Sequence, residues 1–279
     1  MDKKAVYTYL NNKIPLAPMF PNIVAMQALG NSFIILPDPQ NILRTSLTPA
    51  TIRTLAKQHN NCDQILLLEP TSDPQTLRYS IFNRDGSEVG QCVNGVRCAA
   101  WWAYQNGWCH HQAQFETTTT TLQTKILSDN WVEVQLPSPK WHPEAIPLNQ
   151  HQSCQFTEQS LNWHCINVGN PHTVAAVNYI NDYPLKATAC YLQSLDLFPE
   201  GINVGIMQIN TPNHINLRVY ERGVGETQAC GSGACAAAAI GWQDFNLNSP
   251  LTVTLPGGNL TIRGTPDSHL LLTGPAYMR

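Results

Sequence analysis

Two cysteines, Cys92 and Cys230, lie in stretches that read as copies of one another. Each cysteine has an arginine eight residues before it, a glutamate four residues before it and a glycine three residues after it. Two Gly-Asn pairs, ending at Asn31 and Asn170, are separated by nearly the same number of residues as the two cysteines. One register therefore relates both pairs, which predicts a chain of two similar halves. Packed about a pseudo-twofold axis, such halves would place the cysteines on opposite sides of one cleft.

The chemistry expected of this pair is the inversion of a stereocentre. We expect both cysteines at helix N-termini, where unpaired N–H groups and a partial positive charge lower a thiol pKa from about 8.5 toward neutrality. A thiolate can act as a general base, and a neutral thiol opposite can act as a general acid. Inversion needs both, because one group removes a proton from one face while the other delivers a proton to the opposite face.

The same helix ends could hold a carboxylate, because the stretches 94–95 and 231–233 offer backbone N–H groups with few bulky side chains in the way. An amino-acid carboxylate held there would stabilise the charge that develops when its Cα proton leaves. No site for a pyridoxal lysine is visible in the sequence. The residues alone therefore suggest amino-acid racemisation without a cofactor.

Composition limits the partners. The 279 residues carry a formal net charge of −3 and only 13% charged side chains, which leaves no basic stripe for nucleic acid and no polybasic patch for a membrane. No run of about 18 apolar residues could span a bilayer, and three prolines interrupt the apolar part of the N-terminus. We expect a soluble cytoplasmic protein that acts on a small molecule.

The other cysteines are not expected to form a framework. The whole chain has nine cysteines, an odd number, and no secretion signal precedes them, which argues against structural disulfides. Cys98 and Cys235 follow the two motifs without the paired spacing of a zinc site, and no histidine lies among them. We therefore predict no metal site and read the remaining cysteines as small buried residues.

The predicted fold class is α+β, with more strand than helix and one principal helix after each cysteine. Residues 1–21 read as a proline-rich extension, 22–137 as the first half and 138–267 as the second. The C-terminal strand, about residues 268–279, is a candidate to return to the first half. In the first half, 115–126 and 131–136 are predicted to pair as two strands.

Two other classes of protein use some of the same residues. A thiol oxidoreductase would also need acidic cysteines, but the expected Cys-x-x-Cys is absent. A non-catalytic amino-acid-binding protein would keep Arg222 and the asparagines but would have no need for matched cysteines. Incorporation of solvent deuterium at the Cα of the substrate separates the three classes.

The motifs around both cysteines closely resemble the signatures of the diaminopimelate epimerase family. Matching pieces run from about residue 26 to the C-terminus. They are Leu29-Gly30-Asn31-x-Phe33, Asp63-Gln64, Gly169-Asn170-Pro171-His172, Asn203-Val204-Gly205, Leu255-Pro256-Gly257-Gly258 and Thr273-Gly274-Pro275-Ala276. The resemblance implies two pseudo-symmetric domains, each a mostly antiparallel curled sheet around a central helix, and commonly a homodimer.

The activity that the resemblance implies is the pyridoxal-independent interconversion of LL- and meso-diaminopimelate, a step toward lysine and bacterial wall peptidoglycan. A related two-cysteine racemase of another amino acid is the alternative. In such a family Cys92 and Cys230 would be the acid/base residues, and His172 with Glu221 would tune the thiols. Glu221 would also meet the reacting ammonium. The residues expected to read the distal end of the substrate are Asn31, Gln64, Asn83, Asn170, Asn203 and Arg222. The residues whose backbone would hold the reacting carboxylate are Val93, Asn94, Gly231 and Ser232.

The sequence departs from the family pattern at four positions. The family usually has His-Gly-Leu-Gly-Asn-Asp-Phe where this chain has Gln27-Ala-Leu-Gly-Asn-Ser32-Phe, and usually glycine at the position of Val93. A β-branched side chain at this last position could crowd the seat of the carboxylate. Without the repeat, His172 alone would read as a packing histidine, and Arg84 is expected to be structural.

Overall fold

The computed structural model describes residue 20 and residues 22–149 and 154–279. The predicted extension over residues 1–21 lies outside this range except for Phe20. Phe20 is buried in an apolar cluster of the first half, against residues that include Ile34 and Ile52. In the described part of the chain, no helix is long and apolar enough to cross a membrane.

The described residues form four α-helices, a single 3-10 turn at Arg44–Ser46 and eighteen strands. The helices are α1 (Pro49–Gln58), α2 (Val93–Gln105), α3 (Leu185–Gln193) and α4 (Gly231–Asp244). The strands are β1 (Val24–Ala28), β2 (Asn31–Pro37), β3 (Gln64–Pro70), β4 (Thr76–Asn83), β5 (Glu88–Val89), β6 (Gln112–Glu116), β7 (Thr121–Ser128), β8 (Trp131–Leu136), β9 (Gln155–Glu158), β10 (Leu161–Asn167), β11 (Pro171–Ala176), β12 (Asn203–Thr211), β13 (His214–Glu221), β14 (Gly225–Thr227), β15 (Leu251–Leu255), β16 (Gly258–Arg263), β17 (Leu270–Pro275) and β18 (Tyr277–Met278).

The strands pair in a continuous series that contains the same pattern twice. In the first copy, β1 pairs antiparallel with β2, β2 parallel with β3, β3 antiparallel with β4, β4 parallel with β6, and β6, β7 and β8 follow antiparallel. In the second copy, β10 to β13 and β15 to β17 repeat these pairings in the same order. The antiparallel pair β8–β17 joins the two copies. The predicted α+β class with two repeated units is confirmed.

The C-terminal residues pair with both copies. β17 lies between β8 and β16, and β18 pairs with β1. The boundaries that we assigned to the two halves stay a prediction.

Each copy of the sheet is apolar on both faces, which explains the nearly continuous hydrophobic strands. In β2, Phe33 and Ile35 pack into the cluster that contains α2, whereas Ile34 and Leu36 pack into the cluster that contains α1. The cluster around α2 continues into α4, whose first eleven residues, Gly231–Gly241, are all buried. The two central helices therefore share one core.

One predicted strand was wrong. The segment 115–126 is divided between β6 and β7 by a turn at residues 117–120, closed by the Thr117 N–H donating to Thr120 O at 2.8 Å. The Thr117 hydroxyl donates to the same oxygen at 2.9 Å. Five consecutive threonines have high β-propensity, which concealed a turn that the threonine side chains themselves stabilise.

Truncation of Leu272 tests the shared core. Leu272 is fully buried in β17 and lies close to Gly231 of α4, whereas its neighbour Leu271 is only partly buried. We expect Leu272→Ala to lower the free energy of unfolding by about 2–5 kcal/mol, because a cavity forms where both copies meet. The measurement is urea unfolding, with Leu271→Ala as the matched control. Equal losses in the two variants would contradict the shared core.

Candidate active site

Cys92 and Cys230 cap the two central helices in the same way. Cys92 precedes α2 with extended backbone, and its Sγ accepts the Gly95 N–H at 3.3 Å. Cys230 precedes α4 with extended backbone, and its Sγ accepts the Gly233 N–H at 3.4 Å. Both are free thiols. A thiol at the N-cap stands where serine or aspartate usually satisfies the first helical N–H groups. The expectation that both cysteines start helices is met.

The N-terminal turns of α2 and α4 touch each other at Val93 and Gly231. A side chain on Gly231 would place its Cβ 2.9 Å from Val93 Cβ, closer than two carbon atoms can approach. Because Gly231 has no side chain, the side chain of Val93 fits against it. The β-branched residue that departs from the family pattern lies between the two helix ends, on the wall of the expected carboxylate seat.

Asn94 links the two halves next to the thiols. Its Nδ2 donates to Asn31 Oδ1 at 2.6 Å and to the carbonyl of Ala229 at 2.9 Å. Ala229 directly precedes Cys230, and Asn94 is buried. One amide side chain thus fixes a turn of the first half and the residue that leads into Cys230 and α4.

His172 reaches Cys230 through a serine. His172 Nε2 lies 3.1 Å from Asn170 Oδ1 and 3.1 Å from Ser232 Oγ, which lies 3.5 Å from Cys230 Sγ. The side chain is fully buried, and burial lowers the pKa of His172 to about 3. His172 is therefore neutral near pH 7 and touches the thiol only through the Ser232 hydroxyl.

Glu221 is a carboxylate that interacts with both thiols. Its Oε1 accepts a hydrogen bond from the Thr227 hydroxyl at 2.6 Å, and the carboxylate also accepts a hydrogen bond from the Cys230 thiol. Burial raises the pKa of Glu221, and hydrogen bonds from Thr227 and Cys230 partly oppose this increase. The charge of Glu221 raises the pKa of both Cys92 and Cys230. Glu221 therefore lies within electrostatic reach of both thiols.

The expectation that the helix ends make the thiols acidic was wrong. Burial raises the pKa of Cys92 to about 11, more than the N–H of Gly95 lowers it, and burial raises the pKa of Cys230 well above its usual value. Removal of water penalises a thiolate by more than one backbone N–H recovers. A thiolate formed in this site is consequently a strong base.

The residues expected to bind the distal end of a substrate fall into two groups. In the second half, Asn203 accepts the Arg222 N–H at 2.9 Å and donates to Pro171 O at 2.8 Å. The exposed Arg222 donates to Glu200 O at 2.5 Å, and no ion pair holds it among the described residues.

In the first half, Gln64 donates to Asn83 Oδ1 at 3.0 Å, across the pair β3–β4. Hydrogen bonds between described residues do not join this pair to the cysteines. Its membership in the site stays a prediction.

Two of the residues that depart from the family pattern, Ser32 and Gln27, lie next to identifiable residues of the fold. Ser32 donates both its N–H and its hydroxyl to Asp63 Oδ2 at 2.9 Å, so a serine satisfies the partly buried carboxylate beside Gln64. Gln27 lies in β1 opposite Tyr277 of β18.

Sequence reasoning missed Tyr79 and Arg97. Tyr79 is buried and donates to the carbonyl of Cys92 at 3.4 Å, with its hydroxyl against Gly95. Arg97 is completely buried on α2. The signal for Arg97 was an arginine inside an otherwise apolar helix of the first motif.

Comparison with known proteins identifies the family of this chain. The profile of the family described as diaminopimelate epimerase matches residues 23–142 and 164–279. The chain belongs to the diaminopimelate epimerase family. A diaminopimelate epimerase of Legionella pneumophila is 43% identical over 262 residues, which cover 90% of this chain and 94% of that protein. One from Nitrosospira multiformis is 38% identical over 260 residues, with 90% and 93% covered.

Solved structures share the fold at much lower identity. A putative phenazine biosynthesis protein from Clostridium difficile superposes with a TM-score of 0.66 at 13% identity, over 92% of this chain and 96% of that one. A probable proline racemase from Agrobacterium radiobacter gives 0.65 at 12% identity, over 92% and 90%. The fold of the epimerase family therefore extends to proteins with very different sequences.

The neutral His172 predicts a pH dependence of stability. Its pKa is about 3 in the folded protein and about 6.5 when unfolded, so the unfolded chain takes up the proton first as the pH falls below 6.5. Between pH 6.5 and 3 the free energy of unfolding therefore decreases as the pH falls, by about 2 kcal/mol at pH 5 relative to neutral pH. His172→Gln should remove this component.

The measurement is urea unfolding at pH 7.5 and pH 5. The control is His110→Gln, which replaces an exposed histidine. We expect the control to keep the wild-type loss. A wild-type loss that persists in His172→Gln would contradict a buried neutral histidine.

Proposed function

We propose that this chain interconverts LL- and meso-diaminopimelate, as an isomerase that needs no pyridoxal cofactor. The observation that carries the proposal is the pair of identical N-cap thiols on α2 and α4, in a chain of the diaminopimelate epimerase family. The reaction would serve lysine and peptidoglycan synthesis in the cytoplasm. The protein would act as a homodimer.

The mechanism follows from two thiols on two helices. One cysteine, as thiolate, takes the proton from the substrate Cα, and the electron pair delocalises into the adjacent carboxylate. The other cysteine, as thiol, donates its proton to the opposite face of the same carbon. The first cysteine ends as a thiol and the second as a thiolate, so protons and charge balance.

The carboxylate of the reacting centre would sit between the helix N-termini. The backbone N–H groups of Val93, Asn94, Gly231 and Ser232 belong to the first turns of α2 and α4, where the first N–H groups have no carbonyl partner within the helix. The substrate ammonium would lie beside Glu221 and neutralise the charge that raises the pKa of both thiols. Substrate binding would thus favour formation of the thiolate.

Recognition of the distal end would distinguish diaminopimelate from simpler amino acids. Arg222 is exposed, lacks a carboxylate partner in the described chain and is anchored by Asn203 through its backbone. A substrate carboxylate would supply the missing anion. Asn31, Asn170, Gln64 and Asn83 would complete the distal subsite. The halves 22–137 and 138–267, with 268–279 returning to the first, would each contribute to it.

Each cysteine should be indispensable. Because the two thiols serve opposite faces, Cys92→Ala and Cys230→Ala should each lose at least about a thousandfold in turnover, in both directions of reaction. Circular dichroism of both variants should match the wild type, and Cys190→Ala, an exposed thiol elsewhere, serves as the control. Either variant retaining half of the wild-type rate would contradict the two-base mechanism.

Arg222 should govern the distal end alone. Charge-assisted hydrogen bonds contribute about 1.5–3 kcal/mol, so Arg222→Ala should lose at least about tenfold in kcat/KM for diaminopimelate. Binding of a monocarboxylic amino acid, measured by competition, should change much less. The matched control is Arg84→Ala, at the equivalent position of the first motif, which should leave both unchanged. Equal losses for both ligands would show that Arg222 only shapes the fold.

A further inference from the structure

Arg97 is a buried arginine without a counter-ion, and it lies on α2, the helix that Cys92 caps. Arg97 has no exposed surface, and no carboxylate among the described residues pairs with it. Its Nη1 donates to Val93 O and its Nε to Pro275 O, both at 3.4 Å, and its Nη2 has no hydrogen-bond partner in the described chain. A buried charge without a counter-ion destabilises the folded state.

The surroundings of Arg97 contain thiols and a phenol in place of carboxylates. The groups in electrostatic contact with it are Cys92, Cys98, Cys235 and Tyr79. Cys98 and Cys235 are completely buried, and burial raises the pKa of Cys98 to about 12. Tyr79 keeps its proton because burial raises its pKa well above the usual value. Cys92 alone among these thiols is partly exposed and already accepts a helical N–H.

The second copy has no arginine at the position equivalent to Arg97. The residue equivalent to Arg97 is Cys235, and the residue equivalent to Tyr79 is Leu217. Cys230 therefore caps a helix with an apolar interior, whereas Cys92 caps one with a buried cation. Gly274 of β17 makes room for the cation, because a Cβ there would lie 3.2 Å from Arg97 Nε.

We propose that Arg97 is a positioning residue that holds a fixed positive charge for the thiolate of Cys92, so that Cys92 is the more acidic of the two site thiols. This inference rests on the proposed function for its use in catalysis. With one proton shared between the site thiols, the proton sits on Cys230 and the negative charge on Cys92. Arg97 thereby contributes to the inequality of the pair, although both thiols have the same cap geometry.

The charges that act on Cys92 come from each element packed around it. Arg97 on α2 lowers its pKa, and Glu221 on β13 raises it. Cys98 on α2 and Tyr79 on β4 also interact with Cys92, and both remain neutral at moderate pH. Glu221 acts on Cys230 as well, and its hydrogen bond with the Cys230 thiol raises that pKa further. Glu221 and Arg97 therefore both favour the thiolate at Cys92, and Arg97 is the group that does so with a positive charge.

The test is the pH profile of alkylation by iodoacetamide, resolved by mass spectrometry of the peptides that contain Cys92 and Cys230. In the wild type the midpoint of Cys92 should lie at least about one pH unit below that of Cys230. In Arg97→Met, which keeps the volume but not the charge, the midpoint of Cys92 should rise toward that of Cys230. Arg97→Lys should preserve the order, and Arg84→Met, the exposed control, should change neither midpoint.

The outcomes separate this inference from the proposed function. An Arg97→Met variant with native circular dichroism and an unchanged Cys92 midpoint would overturn the role of Arg97. Should this variant fail to fold, the wild-type profile and Arg97→Lys decide, and a Cys230 midpoint at or below that of Cys92 in the wild type overturns it. Alkylation needs no substrate, so a protein that titrates as expected but does not epimerise diaminopimelate would refute the function and leave the inference standing.

Discussion

The contact between the first turns of α2 and α4 is the constraint on which the site depends. Val93 fills the space that Gly231 leaves, and Asn94 ties the turn at Asn31 to the residue before Cys230. Neither helix end can move without breaking buried contacts of the other half. Because each cysteine is the N-cap of one of these helices, the same contact sets the positions of both thiols. The antiparallel pair β8–β17 also joins the two copies of the sheet.

Burial gives the site its chemical character. Burial reduces the access of water to both thiols, to Glu221 and to His172, and each of these groups then favours its neutral form. A carbon acid as weak as an amino-acid Cα needs a strong base, and a thiolate in a dry site is one. The cost of forming that thiolate is offset locally, by N–H groups at the helix ends and by the buried cation of Arg97. The Ser232 hydroxyl contacts both His172 and Cys230, so it links the positions of the imidazole and the thiol.

The duplicated motifs carried most of the information in the sequence. The register of Cys92 against Cys230 was enough to predict both helix caps and the repeated α+β halves, because local spacing fixes where a helix can begin. The acidity of the thiols was not predictable in this way, since the burial that raises their pKa comes from strands distant in sequence. The contact between Val93 and Gly231 and the role of Tyr79 are tertiary for the same reason. The turn at 117–120 was hidden because threonine suits a strand and a turn equally well.

Deuterium incorporation at the substrate Cα tests the central claim, that thiols from two halves serve opposite faces of one carbon. LL-diaminopimelate is converted in deuterium oxide, and both the product and the remaining substrate are analysed by mass spectrometry at low conversion. Two separate bases predict that the product contains one solvent deuterium from the first turnovers while the remaining substrate stays unlabelled. Deuterium that appears in the remaining substrate as fast as in the product would indicate a single base exchanging with solvent, and would contradict the account.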